Sequence, residues 1–132
     1  MSIWILLIIV LAALAFLTHP SLNRKKTRRW QGQQFAHRGL HTPDRSVPEN
    51  SAAAFRRAEA AGYGTELDVR LTADGQVVVF HDDTLDRLCD ASGRVDDFTY
   101  RDLLSFSLCG TEERIPLFSD VLDILGRDTP VI

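Results

Sequence analysis

Three hydrophobic patterns divide the sequence. From Ile3 to Leu17 it is apolar without a break, IWILLIIVLAALAFL, which reads as a helix hydrophobic on every side. At ~1.5 Å per residue that run measures roughly 22 Å, so to cross a ~30 Å hydrocarbon core it needs bilayer thinning or help from Ser2, Thr18 and His19. Residues 19–34 are polar, with Pro20, Asn23, a knot of cations and Gln31-Gly32-Gln33-Gln34, and read as a linker. From residue 35 to residue 132, periods of two and of 3.6 alternate. A strand opens at Phe35. Asn50 or Ser51 caps a helix over SAAAFRRAEAA, stopped by Gly62, with Ala54, Phe55, Ala58 and Ala61 on one face. Tyr63–Leu71 reads as a strand, Asp74-Gly75 as a tight hairpin turn, and Val77-Val78-Val79-Phe80 as a returning strand apolar on both faces. A helix starts near Thr99, where Thr99 and Asp102 resemble a capping box, and another covers Ser119–Leu125 before Gly126. Pro130-Val131-Ile132 opens a further strand. Strands alternating with helices give an α/β fold. About a hundred residues hold fewer than half the elements of a closed (β/α) barrel of ~250 residues, so the expectation is the front part of a longer protein.

Composition narrows the class. With 45% hydrophobic and 25% charged residues, the 132-residue chain is neither disordered nor low-complexity. Two cysteines, Cys89 and Cys109, exclude a disulfide framework and read as free thiols of a reducing compartment. Charge is split along the chain. Residues 1–34 carry five cations (Arg24, Lys25, Lys26, Arg28, Arg29) and no acid, and the remainder carries ten basic and eighteen acidic residues. An acidic body argues against nucleic acid as a partner. Cations that follow the apolar run favour an uncleaved single-pass anchor in the cell membrane with the body in the cytoplasm. A signal peptide cleaved near Ala13-Leu14-Ala15 and a buried helix are the competing readings. The stretch NRKKTRR would lie beside anionic headgroups, at ~1 kcal/mol per charge, or serve as a topology signal alone.

Polar groups collect at strand ends. His37 and Arg38 stand where the first strand leaves the sheet, Glu66 and Asp68 on the second, and His81 and Asp82 after the third. Residues two apart on a strand share a face, so Glu66 and Asp68 point together. Two adjacent carboxylates call for a cation, and hard oxygen donors suit Mg²⁺, Ca²⁺ or Mn²⁺. A two-residue Asp74-Gly75 turn sets Asp68 opposite His81; a turn one residue longer shifts that register by one. Arg38 can grip phosphate oxygens as a fork, and two imidazoles can take and give protons. Singly, each group has a plainer reading: structural histidines, a solvated acidic face, a turn-capping His81-Asp82 pair. Their convergence on one rim of an α/β sheet favours a phosphoryl-transfer site.

His37-Arg38-Gly39, Pro48-Glu49-Asn50-Ser51, Glu66-Leu67-Asp68, Asp74-Gly75, Val78-Val79-Phe80-His81-Asp82 and Leu85-Asp86-Arg87 follow in an order and spacing that resembles the glycerophosphodiester phosphodiesterase family. The resemblance runs from about Phe35 to Ile132 and includes Ile115-Pro116-Leu117. It implies a TIM-type barrel and divalent-metal-dependent (Mg or Ca) hydrolysis of a glycerophosphodiester or lysophospholipid to glycerol phosphate and an alcohol. In the route it implies, glycerol's own hydroxyl attacks phosphorus and water opens a cyclic intermediate. His37 and His81 match the acid/base pair, Arg38 the phosphate contact, and Glu66 and Asp68 metal ligands. Glu49 and Asn50 match supporting residues, with Glu49 reaching Arg38 or the metal. Ser51 stands where the family carries threonine. The family's next strand brings a further glutamate ligand followed by lysine, beyond Ile132, so this chain alone is expected to be inactive. A non-catalytic, membrane-anchored phosphate- or lipid-binding protein on the same scaffold is the alternative.

Overall fold

A computed structural model describes residues 2–18 and 31–132. They divide into one unit up to Gly32 and another from Gln33 to Ile132. In the first, helix α1 spans Ile3–Thr18 and buries none of its residues. Its last turn is tied by Thr18 Oγ1, which donates to the Leu14 carbonyl at 2.8 Å. Among the described residues no helix is long and apolar enough to cross a membrane. The helix expected from the apolar run therefore forms, but its 16 residues measure about 24 Å, several ångströms less than a transmembrane helix requires. The cation cluster Arg24, Lys25, Lys26, Arg28 and Arg29 lies outside the described residues.

The second unit begins with strand β1, Phe35–His37, joined through helix α2, Ala52–Ala60, to strand β2, Gly64–Glu66. β1 and β2 are parallel, with Phe35 opposite Gly64 and His37 opposite Glu66. Ser51 caps α2: its hydroxyl accepts from Ala54 N at 3.1 Å and donates to the Pro48 carbonyl at 2.6 Å. Ala54, Phe55 and Ala58 are buried as the spacing predicts. Ala61 is not, because it is the C-cap and turns outward ahead of Gly62. The strand expected at Pro130 takes the next parallel place: Thr65 bridges Val131, Thr65 N donates to Pro130 O at 2.8 Å and Ile132 N to Thr65 O at 3.0 Å.

The expected strand Tyr63–Leu71 splits. Beyond β2 the backbone changes partners: Leu67 N still donates to Ile132 O at 3.1 Å, and one residue later Asp68 O accepts from Phe80 N at 2.9 Å. Strand β3, Val69–Leu71, then pairs antiparallel with β4, Val77–Val79. The hairpin register also differs from expectation. Leu71 faces Val77 and Val69 faces Val79, which leaves Ala73, Asp74 and Gly75 in the turn and puts Phe80, not His81, across from Asp68. The cause is local. Ala73 N is drawn away to Phe98 O at 2.8 Å, and the buried Thr72 hydroxyl takes Gln76 N at 2.9 Å and donates to Asp74 Oδ1 at 2.6 Å. Gly75, at φ 76°, closes this three-residue loop.

Alternation along β4 builds two cores. Val78 and Phe80 pack with Leu85, Leu88, Val95, Leu103, Leu108 and Ile115. Val79, on the other face, packs with Phe55, Val121 and Leu125. The chain after β4 passes through a 3₁₀ turn at Val95–Asp97 to helices α3, Tyr100–Leu103, and α4, Phe118–Leu125. α3 carries the expected capping box between Thr99 and Asp102 but runs for one turn only. α4 ends at Gly126, where φ is 69°.

Candidate active site

Arg38 is the hub. It follows β1 directly, and its backbone N–H donates to Glu66 Oε2 at 3.1 Å. Its guanidinium donates from Nη1 to Glu49 Oε1 at 2.7 Å, and its Nε lies 3.2 Å from Asp68 Oδ2. The Nε contact is an ion pair by distance without hydrogen-bond alignment, so this buried nitrogen has no hydrogen-bond partner. Two non-glycine residues adopt left-handed backbone here, Arg38 at φ 55° and Asn50 at φ 54°. They are locked together, since Asn50 N donates to the Arg38 carbonyl at 2.9 Å. Left-handed conformations of non-glycine residues persist where surrounding contacts over-determine them, and such positions cluster at functional sites.

Asn50 is buried and donates from Nδ2 to Asp68 Oδ2 at 3.2 Å, while its Oδ1 is buried without a partner. Glu66 and Asp68 thus meet at Arg38 even though they do not share one strand as expected. His37 stands at the rim, with Nε2 3.9 Å from Glu66 Oε2 and a largely exposed side chain.

His81 is held differently. The register slip removes it from its place opposite Asp68, and among the described residues its ring pairs with Asp82, Nδ1 to Oδ1 at 2.5 Å. Its carbonyl accepts from Arg70 Nε at 3.0 Å, and Arg70 also pairs with Asp83. The link to Arg38 runs through a residue to which the sequence analysis assigned no role. Arg87 donates to both oxygens of Asp82, from Nε at 2.6 Å and Nη2 at 3.0 Å. It also donates to both oxygens of Glu49, from Nη2 at 2.7 Å and Nη1 at 3.0 Å. These bonds hold both carboxyls far down. Glu49 is lowered to about 2, mainly by Arg87 with Arg38 adding. Asp82 is also lowered to about 2, mainly by Arg87 with His81 adding. The Arg87 guanidinium is raised in turn by Glu49 and Asp82. The only sequence signal for Arg87 was its membership of the ordered motif series; Asp82 read as a turn cap.

Cys89 and Cys109 are free thiols, as expected. Burial pushes Cys89 up to about 12 and raises Cys109 as well, which suits packing rather than nucleophilic work. Glu66 and Asp68 offer hard oxygen donors, and among the described residues no group of three or more acidic, histidine or cysteine ligands forms. A hard cation in this place would take two protein carboxylates and complete its shell from water, phosphate or residues other than these. The donor type fits, and the orphaned Asn50 Oδ1 beside Asp68 is a further oxygen with unused lone pairs.

The family model described as the glycerophosphoryl diester phosphodiesterase family matches residues 37–131. A glycerophosphodiester phosphodiesterase of Caldanaerobacter subterraneus is 43% identical over 98 residues, 69% of this chain and 39% of its own length. One from Bacillus altitudinis is 40% identical over 100 residues, 70% of this chain and 40% of its own. The chain therefore spans about two fifths of the length of these curated relatives. Among solved structures, an Oleispira antarctica phosphodiesterase in complex with the product sn-glycerol-3-phosphate matches with TM-score 0.64 and 31% identity, over 70% of this chain and 39% of that one. An Agrobacterium tumefaciens glycerophosphodiester phosphodiesterase matches with TM-score 0.67 and 30% identity, over 75% of this chain and 45% of that one. The three parallel strand places and their helices are accordingly part of a TIM-type barrel. With the family model covering most of its length, the chain belongs to the glycerophosphoryl diester phosphodiesterase family.

Proposed function

We propose that the protein carrying this chain hydrolyses glycerophosphodiesters to glycerol phosphate and an alcohol, aided by a divalent cation at Glu66 and Asp68. The observation that carries the reading is the convergence on Arg38, at the end of parallel strand β1, of Glu66 from the end of β2, Asp68 just beyond it and Glu49 from the loop before α2. Barrel enzymes place their chemistry at that end of the strands. When bound, the cation would supply positive charge against the negative charge that develops on the phosphoryl oxygens. Arg38 Nη2 makes no hydrogen bond among the described residues and is the guanidinium nitrogen left for a phosphate oxygen. Asn50 restrains Asp68, and Glu49 restrains the Arg38 fork. With Nδ1 of His81 engaged by Asp82, Nε2 exchanges protons. His37, 3.9 Å from Glu66, serves as the other acid/base: one imidazole takes the proton of the attacking glycerol hydroxyl and the other protonates the leaving alkoxide, and water then opens the cyclic phosphate to glycerol phosphate.

Helix α1 is read as a membrane element. It is apolar and exposed along its length, and a cation-rich stretch follows it in sequence. A site held beside a bilayer favours lipid-derived diesters, lysophospholipids included, on the cytoplasmic face.

The test is hydrolysis of glycerophosphocholine by the intact protein, with Mg²⁺, Ca²⁺ or Mn²⁺ and with EDTA. Turnover should require the metal and fall by at least about 100-fold in His37→Ala and in His81→Ala. Metal-independent turnover, or full activity in either variant, removes the proposal.

A further inference from the structure

Arg87 joins two parts of the site that lie far apart in the chain. Its four hydrogen bonds go to all four oxygens of two carboxylates, Asp82 and Glu49. Each carboxylate in turn holds a residue assigned to the chemistry: Asp82 the His81 imidazole at 2.5 Å, and Glu49 the Arg38 guanidinium at 2.7 Å. Glu49 and Asp82 are mostly shielded, with side-chain exposures of 15% and 20%. No other described contact ties His81 sideways to the Arg38 cluster, because the hairpin register sets Phe80 rather than His81 against Asp68.

We propose that Arg87 is a positioning residue that fixes the tautomer of His81 and its distance from the phosphate-binding Arg38. Only a fork can serve both carboxylates with paired, nearly coplanar N–H groups; an ammonium cannot. With both Asp82 oxygens already accepting from Arg87, Asp82 stays an acceptor, and the proton on the His81 ring is held at Nδ1. Nε2 is then the nitrogen that meets the substrate, as in other sites where a carboxylate orients a catalytic imidazole. On the other side, Arg87 draws Glu49 into line, so that Glu49 Oε1 accepts from both arginines. The plainer role for Arg87 is a staple between two surface loops. It differs in its consequences, since a staple affects stability but neither the ring tautomer nor kcat.

The inference rests on the hydrolase reading, and its test separates the two. Histidine-labelled intact protein is examined by long-range ¹⁵N–¹H NMR at neutral pH, and glycerophosphocholine kinetics are run beside it. In the wild type, His81 should show the Nδ1–H tautomer. In Arg87→Lys that preference should be lost, with kcat down about 10- to 100-fold and KM changed less than about threefold. Asp82→Asn, which leaves the Arg87–Glu49 pair in place, should reproduce both effects and keeps the question answerable if Arg87→Lys does not fold. A His81 tautomer unchanged in the folded variants, or a kcat equal to wild type, overturns the inference. A wild type without turnover in any metal, with the tautomer still lost in Arg87→Lys, overturns the hydrolase reading and leaves Arg87 as the orienting residue.

Discussion

Most of the chemistry in this chain is set by which side chain each ion faces. Glu49 and Asp82 are both lowered to about 2, from ordinary values of 4.5 and 3.8, chiefly by Arg87. A carboxyl lowered on folding stabilises the fold only while it is ionised. Its contribution is complete above the unfolded value and is lost as pH drops toward the folded one. The urea midpoint should therefore be flat above about pH 5 and fall steadily between about pH 4.5 and 2. In the double variant Glu49→Gln, Asp82→Asn that slope should shrink while the midpoint at neutral pH drops. An unchanged slope would mean that these two groups do not titrate with folding. The meeting of Glu66 and Asp68 at Arg38 was legible in the sequence from strand-end position and residue type, whereas the place of His81 was not, because the hairpin register sets Phe80 opposite Asp68. Nor was Arg87. Its partners lie 5 and 38 residues away, and no periodicity reports a contact across two loops.

Elements carry these residues with tolerances that single positions reveal. At Gly39, φ is 77° and an added Cβ would sit 2.8 Å from Ala54 Cβ and 2.9 Å from its carbonyl carbon. The loop after β1 is pressed against α2, which keeps Arg38 over the carboxylates. Gly75 has nearly the same φ, 76°, but open space around it. Gly39→Ala should therefore cost at least about 3 kcal/mol, from left-handed strain plus forced overlap, and Gly75→Ala about 1 kcal/mol from strain alone. Thermal unfolding of the two variants side by side checks this; equal losses would show that the crowding is relieved cheaply. Helix caps and strand starts were legible because they are local: Ser51, the Thr99–Asp102 box, Gly126 and the strand at Pro130 all stand where the residue chemistry puts them. Two features escaped a local reading. The break at Leu67–Asp68 arises from a change of hydrogen-bond partner, and the turn was lengthened by the pull of Phe98 on Ala73. Both are contacts with distant segments.

For the molecule as a whole, α1 is the part the family comparison does not cover, since the family model starts at residue 37. The proposed membrane role of this exposed apolar helix of 16 residues predicts that it partitions to a bilayer, with burial favourable by about 25 cal/mol per Å². The chain has two tryptophans, and Trp4 lies in α1, so a Trp30→Phe variant makes Trp4 the reporter. Its emission should shift to the blue on adding vesicles, more strongly with anionic than with neutral lipid because of the five cations that follow. Removing residues 1–34 should abolish co-sedimentation with vesicles. Emission unmoved by either lipid would rule out the membrane reading of α1. The barrel expectation succeeded at this scale because βα alternation shows in a short stretch: three parallel strand places with helices between them match part of the larger fold.

The hairpin of β3 and β4 has one more consequence. It departs from the parallel sheet at Asp68 and returns the chain one place short of His81. The arm therefore acts as a gauge block between a carboxylate and an imidazole, its length set by three residues at the tip. One residue inserted beside Gly75 would advance the returning arm by about 3.3 Å while leaving its outgoing arm untouched. The spacing between Asp68 and His81 is thus set from a loop that touches neither group, and because β4 buries a different core on each face, such an advance would also exchange Val78 and Val79 between them.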